Sequence, residues 1–442
     1  MTPRLAIIGA GYVGLVTGCC FSHMGYQVTL VENSLGKLEL LQQGHCPIYE
    51  VGLSELLEEG LSTSRVVFLP SIKKLLAEQT VDFIFLAVGT PSLFDGMTDT
   101  SYLLDAVQEL LEHIKSAVTL VIKSTVPVGT ASQIKKLIRE KNLKYPVEVV
   151  SNPEFLREGR AVQDFLRPDR VVIGSESVTV SEQVAGLYRT LERQGHKTIL
   201  TSNEEAEMAK YACNVMLASR ITTMNQIARL CEKLKINVHK IREVVGSDSR
   251  IGSEYLYPGL GYGGSCLPKD VSSFILQCEA QSADASFVMA IHQFNEKQKC
   301  YFLNLIREEF PNAENIKIGV LGLAFKADTD DVRESVAVTL IPNLVAEGYR
   351  VKVHDPKAVG NFSIVMGSRE QGKITYCESA LAAIQDVDAL LVLTEWQEYR
   401  RLTPEFFAQH MRGKVIFDGR NMFERKLFMQ HGFKIKGIGW DT

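Results

Sequence analysis

Leu5-Ala6-Ile7-Ile8-Gly9-Ala10-Gly11-Tyr12-Val13-Gly14 is the stretch whose reading decides the fold. Four apolar residues with no polar alternation read as a strand buried on both faces, as in a parallel sheet. A helical stretch follows to about Met24, and Gln27–Val31 reads as the next strand, ending at Glu32. Strand, G-x-G-x-x-G turn, helix, strand and acid, in that order, form the dinucleotide-binding fingerprint in its required context. Gly9 makes the turn, Gly11 admits a pyrophosphate to the helix N-terminus, and Gly14 lets the helix pack on the sheet. Glu32 follows Gly14 by 18 positions and suits a ribose hydroxyl. Its charge repels a 2′-phosphate, which selects NAD over NADP.

Outward from this unit, strands are expected at Val66–Phe68, Phe83–Val88, Thr119–Ile122, Val147–Val150 and Val171–Gly174. Helical patterns such as Tyr102–Ile114 and Ala131–Lys141 alternate with them, so the fold class is α/β with a doubly wound parallel sheet. The strand ends at Thr90-Pro91 and Ser124-Thr125 carry polar residues where open α/β sheets bind ligands. The same residue types are also ordinary turn formers. Ser151–Gly159 follows another strand and reads either as a surface loop or as part of the same edge.

At Thr201–Glu205 the pattern changes. Ser202 and Glu205 match a capping box, and a helix of about 30 residues runs on to Leu234, longer than one globular core usually holds. Met208, Tyr211, Val215, Ala218, Ile221, Met224 and Ile227 are its expected buried stripe. Lys210 and Asn214 share a face, though Lys210 by itself reads first as a solvated surface lysine. Next comes Gly261-Tyr-Gly-Gly-Ser-Cys266-Leu-Pro-Lys-Asp270, a glycine turn delivering a cysteine to the start of a helix. Helix-end N–H groups and Lys269 would favour a reactive thiolate; the glycines would let a ligand or another backbone approach the sulfur. Helix continues to about Ile306.

Ile316–Leu321, Arg350–His354, Ala389–Leu393 and Val415–Phe417 then outline a second alternating region. Gly322-Leu-Ala-Phe-Lys326 follows its first strand without the G-x-G-x-x-G spacing. A second Rossmann-like domain is expected, binding something other than a whole dinucleotide, with Lys326 and Arg333 as candidate phosphate contacts. The expected domains are residues 1–200, 201–310 and 311–442, the middle one helical. A charge of -4 over 442 residues gives no sign of nucleic-acid binding. Nine cysteines without a CxxC pair fit a reducing compartment and offer no metal site. No signal peptide or membrane-length apolar run is visible, so a cytoplasmic protein is expected.

Together these motifs resemble the nucleotide-sugar dehydrogenases of the UDP-glucose/GDP-mannose dehydrogenase family. They are Gly9–Gly14, Gly44-His-Cys-Pro-Ile48 with Gly52-Leu, Ala87–Pro91, Lys123–Gly129, Ser151–Gly159, Lys210–Asn214, Arg250–Gly252, Gly261–Asp270, Phe325-Lys326 and Arg333–Ser335. The match is dense from residue 5 to about 335 and thins to Phe417-Asp-Gly-Arg420. The resemblance implies NAD-dependent, four-electron oxidation of the sugar C6 alcohol to a carboxylate, UDP-glucose giving UDP-glucuronate for polysaccharide or lipid modification.

It further implies that Cys266 forms a thiohemiacetal and then a thioester. Lys210 and Asn214 would hold charge on the C6 oxygen, Asp270 and Thr125 the water, and Glu154 would serve thioester hydrolysis. NAD would be met by Gly9, Gly11, Tyr12, Val13, Gly14, Glu32, Lys37, Thr90, Thr125, Glu158 and Arg333. The nucleotide sugar would be met by Glu154, Phe155, Leu156, Arg157, Lys210, Asn214, Tyr255, Leu256, Tyr257, Pro258, Gly259, Gly263, Phe325, Lys326 and Arg420. Arg250 would reach it from a neighbouring subunit of a homodimer built on the central helices. Leu267, Glu32, Val51 and Tyr257-Pro258-Gly259 depart from the family's commoner residues, the last in the sugar- or base-facing stretch. GDP-mannose and UDP-hexosamine oxidation are the alternatives within the family. Ser265, where the hexosamine enzymes usually carry histidine, speaks against the latter. Outside it stand an inactive NAD-binding regulator, against which Lys210, Cys266 and Asp270 speak, and a two-electron hydroxyacid dehydrogenase, which needs no cysteine.

Overall fold

The N-terminal apolar run forms β1 (Arg4–Ile8), with Leu5 to Ile8 all buried. The fingerprint turn leads into the helix Tyr12–His23, and β2 (Gln27–Val31) returns parallel to β1, Leu5 opposite Val28 and Ile8 opposite Val31. β3 (Val66–Leu69), β4 (Phe83–Leu86), β5 (Val118–Ile122), β6 (Val147–Ser151), β7 (Arg170–Gly174) and β8 (Lys197–Thr201) follow. They form one sheet in the order β3-β2-β1-β4-β5-β6-β7-β8. The order of strand addition switches sides of the sheet between β1 and β4, which run parallel, and this is the switch point at which such sheets open a ligand crevice. Leu5, Ile7 and Phe85 pack on one face, and Ala6, Ile8 and Ile84 on the other. Apolar layers on both faces are why these strands show no polar alternation.

This computed structural model describes residues 2–192, 195–367 and 372–440. It divides into two compact units, Met1–Cys213 and Asn214–Thr442. In the first, the expected parallel pairing holds at every junction but one: β7 meets β6 antiparallel through Gly174 and Ser151. Between those two strands the chain makes only the loop from Asn152 and the short helix Ala161–Leu166, whose Ala161 and Phe165 join the core beside the first helix. β8 was not anticipated because, as an edge strand, Lys197–Thr201 is mostly exposed and carries little apolar signal.

The long helix is Asn203–Leu234, and the boundary between the units falls within it. Its capping box is formed: Ser202 Oγ accepts from Glu205 N at 3.2 Å, and Glu205 Oε2 accepts from Ser202 N at 2.8 Å. The buried stripe differs from expectation. Tyr211, Val215, Ala218 and Met224 are buried, Ile221 and Ile227 half-buried, but Met208 is 40% exposed. Glu207, Lys210, Asn214 and Asn225 are buried instead. A stripe drawn through apolar residues alone skips these polar positions and so is displaced at the N-terminal end.

In the second unit the helices Val238–Ser247, Leu267–Ala280, Ser286–Lys299 and Tyr301–Glu309 precede another sheet. Its strands are β9 (Lys317–Leu321), β10 (Arg350–His354), β11 (Ile374–Tyr376), β12 (Ala389–Val392), β13 (Val415–Asp418) and β14 (Lys434–Gly437). They run wholly parallel in the order β11-β10-β9-β12-β13-β14. The edge strands β11 and β14 are short and partly exposed, which hid them from pattern reading. The acid after β10 differs from Glu32 in use. Asp355 is buried, and its oxygens accept from the amides of Leu323 (2.8 Å), Ala324 (3.1 Å), Lys357 and Ala358 (2.9 Å each) and from Trp396 Nε1 (3.1 Å). It braces the Gly322–Lys326 turn.

Candidate active site

The first unit carries the fingerprint, with Gly9 and Gly14 packed as closely as its spacing requires. Gly9 has φ +94°, and a Cβ there would lie 2.8 Å from the Ala87 carbonyl oxygen. A Cβ on Gly14 would lie 1.9 Å from the Gly9 carbonyl oxygen, whereas one on Gly11 would meet nothing within 4 Å. Gly11 caps the helix Tyr12–His23 without a side-chain bond, so open space faces amide groups and the positive end of a helix dipole. Glu32 Oε1 accepts from Ser34 N at 3.0 Å and Oε2 pairs with Lys37 at 3.0 Å. The open helix N-terminus at Gly11 and the carboxylate at the end of β2 fit a dinucleotide such as NAD.

Tyr12 and the backbone just after Glu158 are tied to a residue that sequence reading assigned no role. The Glu50 carboxylate takes the Tyr12 hydroxyl and the amides of Gly159 (2.6 Å) and Ala161 (2.8 Å). Burial pushes Glu50 up from the usual carboxylate range against those bonds. Burial and the Glu50 carboxylate push Tyr12 up too, with Glu158 adding charge repulsion. Glu50 stands inside the Gly44–Gly52 motif, the one signal that singles it out.

At the carboxyl ends of β4 and β5, Thr90 Oγ1 donates to the Thr125 carbonyl at 2.9 Å and Ser124 Oγ to that of Val88 at 2.6 Å. Lys210 is only 3% exposed, which overturns its reading as a surface lysine. Its ammonium lies 2.7 Å from Glu154 Oε1, and Glu154 Oε2 accepts from Leu156 N at 2.6 Å. Burial acts to raise the Glu154 pKa, but Lys210, the amide and Lys123 outweigh it and hold the carboxyl below its ordinary value. Lys123 is buried, donating to Asn152 Oδ1 at 3.1 Å beneath the rings of Phe165 and Tyr188. Burial pushes it down to about 8, with Glu154 opposing and Lys210 adding. The guanidinium of Arg170 covers the Phe155 ring at 3.8 Å, and Arg157 forms a two-pronged pair with Asp164. Glu154, Phe155, Leu156 and Lys210 thus form one cluster in the first unit, while Thr125 is bonded to Thr90 and Arg157 to Asp164.

In the second unit Cys266 occupies the cap of the helix Leu267–Ala280, with Pro268 in its first turn. Its Sγ lies 3.4 Å from Ser265 Oγ. Asp270, one turn on, is 1% exposed. It takes Lys269 Nζ at 2.7 Å on one oxygen and Asn214 Nδ2 at 2.5 Å on the other. Lys269, expected beside the thiol, thus has its ammonium on Asp270. The glycines admit backbone and ring rather than open space. A Cβ on Gly263 would lie 2.2 Å from the Glu334 carbonyl oxygen, and one on Gly264 2.7 Å from the Phe325 ring. Gly264 N donates to the Arg333 carbonyl at 3.0 Å, and Asn295 clamps Tyr262 on both sides, at 2.8 and 3.0 Å. Gly263, Phe325 and Arg333 are therefore brought together at the cysteine turn.

Arg420 donates to the carbonyls of Phe325 (2.6 Å) and Leu393 (2.7 Å), so it supports the Phe325-Lys326 turn. Gly259 is held by Asn225 (2.8 Å) and Gln298 (2.7 Å). Around it Leu256 and Pro258 are buried and Tyr257 is exposed, while Tyr255 takes φ +61°. Arg250 pairs with Asp248 but is 87% exposed and touches none of these residues in the contacts described. Among the described residues no group of His, Cys, Asp and Glu is placed to hold a metal ion, and no helix is long and apolar enough to cross a membrane.

A dinucleotide fingerprint on one doubly wound sheet, a second Rossmann-like sheet and a cysteine at the head of a helix define a dinucleotide-dependent α/β oxidoreductase. The UDP-glucose/GDP-mannose dehydrogenase family matches in three parts: its NAD-binding domain at residues 3–192, its central domain at 204–297 and its UDP-binding domain at 319–425. The chain is 39% identical to a UDP-glucose 6-dehydrogenase of Pseudomonas aeruginosa, covering 99% of this chain and 97% of that one. To one of Rhizobium meliloti it is 37% identical, covering 99% of each. The solved structure of a UDP-glucose dehydrogenase from Pyrobaculum islandicum superposes with a TM-score of 0.91 at 35% identity, covering 100% of this chain and 98% of that one. The chain belongs to the UDP-glucose/GDP-mannose dehydrogenase family.

Proposed function

We propose that the protein oxidises the C6 alcohol of UDP-glucose to the carboxylate of UDP-glucuronate, reducing two NAD in succession. NAD held by Gly11, Glu32 and their neighbours supplies a two-electron hydride acceptor. Lys210 and Asn214 donate to the C6 oxygen as negative charge develops there, a role suited to a fixed cation and amide. The Cys266 thiolate adds to the aldehyde carbon, giving a thiohemiacetal, and the second oxidation leaves a thioester on the same sulfur. Asp270, oriented by Lys269 and Asn214, takes a proton from the water that attacks the thioester, with Thr125 holding that water. Glu154, ionised beside Lys210, takes the proton that the C6 alcohol loses in the first oxidation and returns it to the departing thiolate. Arg333, Lys326 and the Tyr255–Gly259 stretch hold phosphates and nucleotide sugar. The three functional parts are residues 1–200, 201–310 and 311–442.

The observation that carries this reading is Cys266 at a helix head with a fixed, buried carboxylate one turn along. An oxidation that stops at two electrons needs neither. The protein acts as a homodimer in the cytoplasm. Support comes from an outward apolar stripe on the long helix, Met208, Met216, Leu230 and Leu234, and from Arg250, whose side chain is 87% exposed while paired with Asp248. The test is the amount of NADH formed per limiting UDP-glucose. Two per sugar is expected. One per sugar would remove the thioester from the mechanism, and turnover of GDP-mannose in place of UDP-glucose would move the error to Tyr255–Gly259.

A further inference from the structure

The three chain segments that carry Thr125, Glu154 and Lys210 meet at one side chain that no step of the reaction uses. Glu207 lies on the buried face of the long helix, one turn before Lys210, and is 3% exposed. Its Oε2 accepts from Gly129 N at 2.7 Å and its Oε1 from Ala131 N at 2.9 Å. Those amides open the helix Thr130–Lys141, whose cap, Gly129, makes no side-chain bond of its own. Only three residues separate Gly129 from Thr125. Oε1 also accepts from Ser151 Oγ at 3.3 Å, and Ser151 is the last residue of β6, from which the Glu154 loop departs. Asn203 donates to the same Ser151 oxygen at 3.1 Å.

A carboxylate at a helix N-terminus is favoured by the free amides and the helix dipole. The usual cap is a neighbouring residue in sequence. Here it comes from another helix, so the bond that closes the helix end also fixes one segment against another. Burial pushes Glu207 up to about 7 despite the bonds from Ala131, Gly129 and Ser151, with Glu204 adding repulsion. An apolar residue would fill the space without that penalty, but could not bind two amides and a hydroxyl.

We infer that Glu207 is a positioning residue for the reaction, setting the Thr125 turn, the Glu154 loop and Lys210 in register with one another. The inference rests on the roles proposed above for those three residues. It is tested with Glu207→Gln and Glu207→Asp beside Glu204→Gln, by steady-state oxidation of UDP-glucose and by amide hydrogen exchange at Gly129 and Ala131. Glu204 makes the control: it joins the same two helices through Ser132 Oγ at 2.6 Å but is only half-buried and bonds neither amide.

A misplacement of about 1 Å among catalytic groups costs on the order of 10²-fold in rate. Glu207→Gln should therefore lower kcat by about ten- to a hundredfold with KM for NAD within about twofold. Gly129 and Ala131 should exchange faster, and Glu204→Gln should keep wild-type kcat. Glu207→Asp, which keeps the charge on a shorter arm, should lie between and stands in if Glu207→Gln does not fold. Faster exchange with kcat unchanged would reduce Glu207 to a structural cap and overturn the inference. So would an equal kcat loss in Glu204→Gln. If wild-type protein does not turn over UDP-glucose, the proposed function has failed; unchanged exchange in the Glu207 variants would then be the separate failure of this inference.

Discussion

Glu154 and Lys210 are almost fully buried and 2.7 Å apart, with Lys123 buried nearby as a second cation. Removing one partner of such a pair leaves an uncompensated charge in low dielectric and costs about 3–5 kcal/mol, whereas removing both charges together costs much less. Lys210→Met should thus lower stability by about 3 kcal/mol, toward the low end because Lys123 still faces Glu154. Lys210→Met with Glu154→Gln should recover most of that loss in urea denaturation, and both proteins should be inactive on UDP-glucose. A double variant no more stable than the single one would mean that packing of the lysine stem, rather than charge, is what matters. None of this was legible at Lys210 itself. A lysine on an amphipathic helix is normally solvated. Its burial follows from which face the helix turns inward, and Glu207, Lys210 and Asn214 lie on that face as polar residues.

At the scale of elements, local signals that bind their own backbone were readable. The fingerprint, the Ser202–Glu205 box and Pro268 at the head of the cysteine helix all act within a few residues, and each is formed as the sequence implied. Edge strands β8, β11 and β14 were not readable, since half-exposed strands of three to five residues lack an apolar run. The cysteine turn was readable in kind but not in partner. Its glycines admit Phe325 and the Arg333-Glu334 backbone, about sixty to seventy residues away in sequence. Gly263→Ala places a Cβ against a carbonyl oxygen that Lys299, bonded to the Glu334 carboxylate at 2.7 Å, helps to hold in place. The backbone must shift, at a cost of about 1–3 kcal/mol for overpacking. Because the shift falls on the turns bearing Cys266 and Arg333, kcat should drop further than the fall in melting temperature suggests. A variant with a lowered melting temperature and wild-type kcat would show that the cysteine turn tolerates the displacement.

For the whole molecule, the sequence marked out two Rossmann-like regions and a long helix, and all three are present. The expectation of a second copy came only through family resemblance, because no pattern within one chain encodes where a neighbour would lie. Arg250 makes this testable without a structure of the assembly. It is 87% exposed and bonded only to Asp248 in the contacts described, so by itself it explains no activity within one chain. If it serves the partner's site in a symmetric dimer, Arg250→Ala and Cys266→Ser damage different sites. Each homodimer should be nearly inactive. After unfolding and refolding together in equal amounts, half the dimers pair one of each chain. In those, the intact Cys266 of one chain meets the intact Arg250 of the other, while the second site lacks both. Activity should return to about a quarter of wild type. No recovery, with mixed dimers confirmed by mass, would place Arg250 in the same site as its own Cys266.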